Sequence, residues 1–305
     1  MSQQTATYRG LGTDERVPAG IKKDHELHLG SLVLKDMAFW IMPTKDFSRF
    51  SGRAVDGVLG ADLFERYVVE IDYAARKLRI YEPEGYALAH ATYVLPLTFA
   101  TGWMVPLLQS KVTATDGDVV NAPLVFDTGA GPNYFSKSLS DAHPSLVSSG
   151  KTFAGPKGSG ANGSTAYLVG RVKEIELGDL RIREPVVLFS LDSAGLASQS
   201  DYYGSIGGET LESFTIVVDY KRRDIAFQPN EQFGRHIEYD MSGMHLLSDK
   251  SDFHRFEVDF VAIGSEAVKK GILPGDVVVS ANGKVASTLH WTKSTKCWCG
   301  QARSN

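Results

Sequence analysis

The chain is written twice. Residues Gly57 to Tyr73 (GVLGADLFERYVVEIDY) fall without a gap on Gly204 to Tyr220 (GSIGGETLESFTIVVDY), at an offset of 147 residues. The match continues from Lys77–Ile80 onto Asp224–Phe227, and with one residue of slip Glu26–Gly30 falls on Glu174–Gly178. Agreement in small, apolar and turn positions over roughly seventy residues marks one supersecondary unit used twice, each copy burying a face against its own sheet. Any motif found in one copy alone then becomes informative.

Strand patterns dominate the repeat. Residues 67–72 and 214–219 are rich in β-branched and aromatic side chains, and short connections at 74–76 and 221–223 lead into returning strands at 78–81 and 225–228. Each copy is therefore expected to hold a hairpin. Short helices fit residues 62–66, 137–141 and 209–213. A Pro- and Gly-bearing passage, Glu82 to Gly85, closes the first copy, so the expected units run from 1 to 85 and from about 95 to 233. A chain of 305 residues with 43% hydrophobic content has enough apolar material for two or three modest cores. Its net charge of −4, with Lys and Arg scattered, supplies no field to collect nucleic acid. No apolar run reaches the length of a membrane span, and the polar Met1–Gln4 start lacks the basic and apolar regions of a signal peptide. Cys297 and Cys299 lie two apart without a second pair or a histidine cluster, which argues against a zinc site or a disulfide framework, and no cofactor is expected.

The segment Leu124-Val125-Phe126-Asp127-Thr128-Gly129-Ala130 occurs once. Its apolar strand delivers the Asp127 carboxylate to a turn, Thr128 offers a hydroxyl to lock that turn, and Gly129 keeps the backbone open to a substrate. Such a carboxylate becomes chemically useful beside a second one. Two close carboxylates do not both ionise cheaply, so one stays protonated while the other takes a proton from water. The pair would titrate as a unit and hydrolyse a peptide bond without a covalent intermediate.

At this point the second copy resembles a retropepsin-like aspartic protease domain of the bacterial, pepsin-related kind. Three elements stand in family order: Asp127-Thr128-Gly129-Ala130; a glycine-rich hairpin, Gly158-Ser159-Gly160 through Gly163, similar to a flap; and Ser205-Ile206-Gly207-Gly208, whose Ile206 and Gly207 would thread beside the aspartate turn. The resemblance implies that Gly207 is small because another backbone passes close to it. The first copy shows only Gly10-Leu11-Gly12 and Val58-Leu59-Gly60. Its aspartate turn is missing, and Asp72, Asp219 and Asp56 do not replace it: the first two recur at strand ends, where capping a hairpin is expected of them.

After Pro229 the pattern changes. Gly243-Met244-His245-Leu246, then 256–261, then Gly264 through Gly283 resemble a PDZ domain of the bacterial protease-associated type, expected over 238–287. The last stretch reads as a short helix from Ser265, a Leu-Pro-Gly-Asp turn, an apolar strand and an Asn-Gly turn. The resemblance implies that Gly243, Met244, His245 and Leu246 form the loop and strand edge for a C-terminal peptide ligand. Residues 288–305 carry neither helical period nor strand alternation, so this domain too is expected to be incomplete, with a poorly ordered end after about residue 286.

The expectation is thus a mainly β protein of two pepsin- or retropepsin-like β-barrel lobes, the first incomplete, and a partial PDZ module. Its implied work is hydrolysis of peptide or unfolded polypeptide, and similar proteins are commonly exported. Three explanations of the unpaired Asp127 stay open: a chain truncated at its start, two chains sharing their Asp127 residues, or a descendant that holds peptide without cutting it. Two look-alikes are set aside. Gly158 to Gly163 fits a dinucleotide fingerprint by letters but does not join a strand to a helix, and His25-Glu26-Leu27-His28 alternates like a strand instead of forming a helical zinc pattern.

Overall fold

The computed structural model describes residues 4–10, 13–88, 91–100, 104–159, 164–195, 198, 203–237, 239–240, 242–249, 251–281 and 283–288. The protein is mainly β, as expected. The first repeat opens with β1 (Gln4–Arg9), β2 (Arg16–Leu29) and β3 (Leu32–Ile41), which form an antiparallel sheet in that order. It continues through α1 (Lys45–Ser51) and α2 (Ala61–Arg66) to the hairpin of β4 (Val68–Asp72) and β5 (Lys77–Tyr81). Asp72 accepts the Ala75 amide at 2.9 Å and Asp219 the Arg222 amide at 3.0 Å, so each closes its own hairpin turn.

The second repeat is led in by β6 (Tyr93–Pro96), β7 (Thr98–Phe99), β8 (Pro106–Leu108), β9 (Lys111–Thr113) and β10 (Val119–Asn121). Next come β11 (Leu124–Phe126), β12 (Asn133–Phe135), α3 (Lys137–Ala142) and α4 (Ser145–Ser148). Strands β13 (Phe153–Ala154), β14 (Gly158–Ser159), β15 (Ser164–Thr165), β16 (Tyr167–Arg171), β17 (Glu174–Leu177), β18 (Leu180–Arg183) and β19 (Val186–Ser190) follow. The repeat ends with β20 (Gly204–Ile206), α5 (Gly208–Leu211), β21 (Phe214–Asp219) and β22 (Asp224–Pro229). Its main sheet has eight strands in the order β13-β16-β19-β12-β20-β11-β8-β7. A core of buried side chains, Leu124, Phe126, Phe135, Phe189, Ile206 and Phe227 among them, packs on it. At roughly 1.5–3 kcal/mol for each large side chain removed from water, this core dominates the molecule's stability. Among the described residues, the first repeat's own cluster has Leu34, Met37, Leu63 and Val69 as its buried members.

The backbone itself repeats. Left-handed residues other than glycine are uncommon, yet Arg76 (φ 54°) and Arg223 (φ 58°) stand at equivalent positions, as do Asp36 (φ 55°) and Glu184 (φ 47°). Gly30 and Gly178 match in the same way, at φ 61° and 56°. The long strand β2 covers the ground of β15, β16 and β17, and β3 that of β18 plus β19, with bulges in the β2–β3 ladder between Lys22 and Leu27.

The two repeats join in one five-stranded sheet, order β5-β4-β21-β22-β6. Across β4 and β21, Val69 pairs with Val218, Glu70 with Val217 and Ile71 with Ile216. Under the sequence offset the counterparts of Val69, Glu70 and Ile71 are Ile216, Val217 and Val218. Exchanging the two halves therefore reproduces the same ladder, and a local pseudo-twofold axis passes between Glu70 and Val217.

The third module holds β23 (Met244–Ser248), β24 (Phe256–Val261), α6 (Glu266–Lys269) and β25 (Val277–Val278), with a small hairpin of β26 (Ser280–Ala281) and β27 (Lys284–Val285). Its sheet order is β23-β24-β25. Ser265 caps α6 by accepting the Val268 amide, and Asp276 accepts the Leu273 amide at 2.9 Å to close the Leu-Pro-Gly-Asp turn. The tail expected to be poorly ordered lies outside the described residues from 289 onward, as do Cys297 and Cys299. No helix among the described residues is long and apolar enough to cross a membrane.

Candidate active site

Strand β11 ends at Asp127 because it is held on both sides. It pairs antiparallel with β8, and parallel with β20 through Val125–Ser205 and Phe126–Ile206. The Asp127 amide then donates to the Ile206 carbonyl at 3.1 Å. Strand β20 is itself sandwiched, since its other edge runs antiparallel to β12 through Tyr134–Ser205. The turn between β11 and β12 thus loops over the end of β20.

Within the turn, Asp127 Oδ1 accepts the amides of Gly129 at 2.9 Å and Ala130 at 3.1 Å. Two backbone donors to one carboxylate oxygen fix its orientation. Oδ2 makes no hydrogen bond among the described residues, which leaves one oxygen of a half-buried carboxylate for a substrate or a water. Thr128 and Gly129 are exposed, and the Thr128 hydroxyl makes no hydrogen bond there, so the lock assigned to it from sequence is not formed within the described residues.

The far side of the turn is clamped by α5. Gly208 and Glu209 donate their amides to the carbonyls of Ala130 at 2.9 Å and Gly131 at 3.0 Å. This approach leaves no room at Gly207, where a Cβ would stand 2.3 Å from the Pro132 carbonyl and 2.4 Å from that of Gly131. Asn133, buried in β12, ties the whole crossing together. Its Nδ2 donates to Val186 O at 2.8 Å, and its Oδ1 accepts the Gly207 amide at 3.2 Å and the Thr210 hydroxyl at 3.0 Å. Asn133 was not singled out in the sequence; the available signal was a polar residue opening the apolar Tyr134-Phe135 strand.

Tyr73 is the second residue the sequence did not bring to this site. It belongs to the first repeat but packs against the core of the second. Burial pushes its phenol up to about 12, helped by the negative charges of Glu212 and then Asp127. A neutral phenol from the first repeat therefore lies within electrostatic reach of Asp127. No hydrogen bond joins Asp127 to another carboxylate among the described residues.

Gly158 and Ser159 stand in a separate hairpin, pairing with Thr165 and Ser164, while Gly160 and the rest of the glycine-rich tip lie outside the described residues. The base of this hairpin rests on Tyr167, whose ring would be 3.0 Å from a Cβ on Gly158. In the first repeat Gly10 is buried, while Leu11 and Gly12 lie outside the described residues. Val58 and Leu59, the counterparts of Ser205 and Ile206, belong to no strand and are 71% and 41% exposed, against 0% for Ile206. A Cβ on Gly60 would meet nothing within 4 Å. Asp56 is exposed as well, and so are His25 and His28 on β2.

At the third module, Gly243 is left-handed (φ 73°), and its carbonyl accepts the Ala262 amide at 2.8 Å. The Met244 amide is already taken by the Ser242 hydroxyl at 3.1 Å, and Ser242 gives its own amide to Asp240 at 2.8 Å. His245 Nδ1 lies 3.3 Å from Asp259, and Leu246 is buried in the module's core. A hollow of about 440 Å³ between α3, α4 and β19 is lined by Lys137, Asp141, Leu168 and Leu191 among others, none of them part of the Asp127 turn. No group of three His, Cys, Asp or Glu side chains suited to a metal ion occurs among the described residues.

Comparison with known proteins bears on the segment around Asp127. A family model described as Aspartyl protease matches residues 112–210, about a third of the chain. Among solved structures the chain is similar to a retropepsin-like aspartic protease from Rickettsia conorii, at 14% identity and TM-score 0.32, over 45% of this chain and 99% of that one. It is also similar to conglutin gamma, a basic 7S globulin from lupine seeds, at 12% identity and TM-score 0.42, over 75% of this chain and 73% of that one. No curated protein matches it.

Proposed function

We propose that the chain carries one half of an aspartic-type endopeptidase site that hydrolyses peptide bonds in extended or unfolded polypeptide. Asp127 is one of two carboxylates that share a proton and activate water between them. Thr128, Gly129 and Ala130 shape the turn, Ile206 and Gly207 back it, and the hairpin of Gly158, Ser159 and Gly160 covers substrate. The observation that carries this reading is the match of residues 112–210 to the aspartyl protease family, a span that contains Asp127 and the β20 crossing. The incomplete lobe over 1–85 and the complete one over 95–233 are part of the same proposal, and so is a second carboxylate supplied from beyond the described residues. The exposed Val58-Leu59-Gly60 supports that last point, because its counterpart in the second repeat is covered by two strands. The module over 238–287 is proposed as a PDZ-type peptide-binding unit.

The test is cleavage of an unfolded polypeptide at acid pH by the parent chain and by Asp127→Asn. Cleavage that falls by roughly 10²–10⁴-fold in the variant supports the assignment, and cleavage that persists undiminished overturns it. A loss of specific activity on dilution identifies a second copy as the source of the partner carboxylate. Inactivity at every concentration, with no thermal stabilisation by a statine peptide, favours the alternative of a peptide-holding cleft that does not cut.

A further inference from the structure

Helix α1 lies in the chain between β3 and α2, yet it packs against β23 of the third module. Strand β23 ends its sheet. The outward face of that edge follows from the ladder. Val258 of β24 uses its amide and carbonyl on the β25 side, bonding Asp276 and Gly275 at 2.8 Å. Its partner across the other edge is Leu246. In an antiparallel ladder such a pair is not hydrogen-bonded, so Leu246, and by alternation Ser248, turn their backbone groups away from β24 to the open edge.

That edge is occupied from within the chain. Arg49 Nε donates to the Ser248 carbonyl at 3.1 Å, and the Ser248 hydroxyl donates back to the Arg49 carbonyl at 2.9 Å. The same guanidinium lies 3.6 Å from Glu257, and the Phe50 ring sits 5.9 Å from that of His245. Leu247 is 5% exposed although it is outside the module's own core cluster. An added strand would have to run about 4.8 Å from β23, and the Arg49 side chain, whose Nε takes the outward-facing Ser248 carbonyl, stands in that lane. The helix is a light obstacle: seven residues, none buried, with no side-chain bond at its N-cap. A helix this short has little stability of its own.

We propose that α1 is an internal stand-in for a peptide, closing the strand-addition edge of β23, and that an extended polypeptide gains the edge by displacing Arg49 and Phe50. The proposal rests on the peptide-binding reading of residues 238–287. It also names the ligand's chemistry. Displacing Arg49 leaves Glu257 and the Ser248 carbonyl without their cation, and Asp259 of β24 lies 3.3 Å from His245 of β23, so the favoured ligand is an extended segment bearing a basic side chain.

The experiment compares the full-length chain with Arg49→Ala and Phe50→Ala, using a fluorescein-labelled Thr-Val-Arg-Val-Thr-Val peptide and its Glu-for-Arg counterpart, read by anisotropy. The variants are expected to bind the Arg probe about ten-fold more tightly than the parent, the worth of a charged hydrogen bond, and to bind the Glu probe less well. Unchanged amide exchange in β21 shows that the variants fold. Equal affinity of parent and variants overturns the closure, and weaker binding by the variants overturns it too, because α1 would then be a wall of the site. If no chain binds either probe, the peptide-binding reading of the module falls and the closure with it.

Discussion

At the scale of single residues, Gly207 and Gly60 occupy the same place in the two repeats under opposite conditions. A methyl group on Gly207 collides with two carbonyls of the turn that carries Asp127, and one on Gly60 meets open space. Gly207→Ala should destabilise the protein by about 1–3 kcal/mol, and Gly60→Ala should leave the urea midpoint almost unmoved; equal effects would remove the distinction between a covered and an uncovered crossing. The tyrosines give a second residue-level prediction. Burial raises Tyr73, Tyr134 and Tyr220 to about 12, and burial pushes Tyr167 and Tyr239 up as well. A raised folded-state value means that the protonated phenol is favoured by folding. This contribution is complete below the ordinary phenol value of about 10 and is lost as pH climbs through 12. Urea stability should therefore be flat with respect to these groups from neutral pH to about 9 and fall steeply above 10. An ultraviolet phenolate titration should show a late wave that disappears in denaturant.

At the scale of elements, the pieces most plainly written in the sequence are those whose local pattern and duplicated pattern agree. Both hairpins, β4–β5 and β21–β22, fall within a residue or two of expectation, because β-branched runs ending in an Asp-capped turn need no distant partner to be read. The helices at 61–66 and 208–211 were legible for the same reason, and the one at 137–142 from its local pattern alone. The β20 crossing was legible in outline, through the Ile-Gly pair, but its fastening was not. Asn133 reaches Val186, Gly207 and Thr210, contacts spread over many tens of residues that no local pattern encodes. The docking of α1 on β23 was hidden in the same way, since Arg49 and Ser248 are about two hundred residues apart. Tyr73 was visible as a repeated position, but its approach to Asp127 depends on how β4 aligns with β21. That alignment also yields an element-scale prediction. Val69 is fully buried and faces Val218, so Val69→Ala, which removes two methyl groups, should cost about 2 kcal/mol. The loss should accelerate amide exchange in β21 of the other repeat; acceleration confined to β4 and β5 would show that the two repeats are not mechanically one sheet.

At the scale of the whole molecule, the large core of the second repeat and the small one of the first meet in the five-stranded sheet, with the third module tied back through α1. The ladder at the centre of that sheet reads the same when the halves are exchanged, which is how identical chains assemble across a dyad. On such an axis each residue would confront its own copy. Glu70 set against Glu70 would repel, like charges directly opposed across strands being unfavourable, whereas Val217 set against Val217 would pack. Self-pairing thus suits the strand 214–219 better than the strand 68–72. One divergent position, acid on one side and valine on the other, gives the two halves of this polypeptide a reason to choose each other over duplicates of themselves.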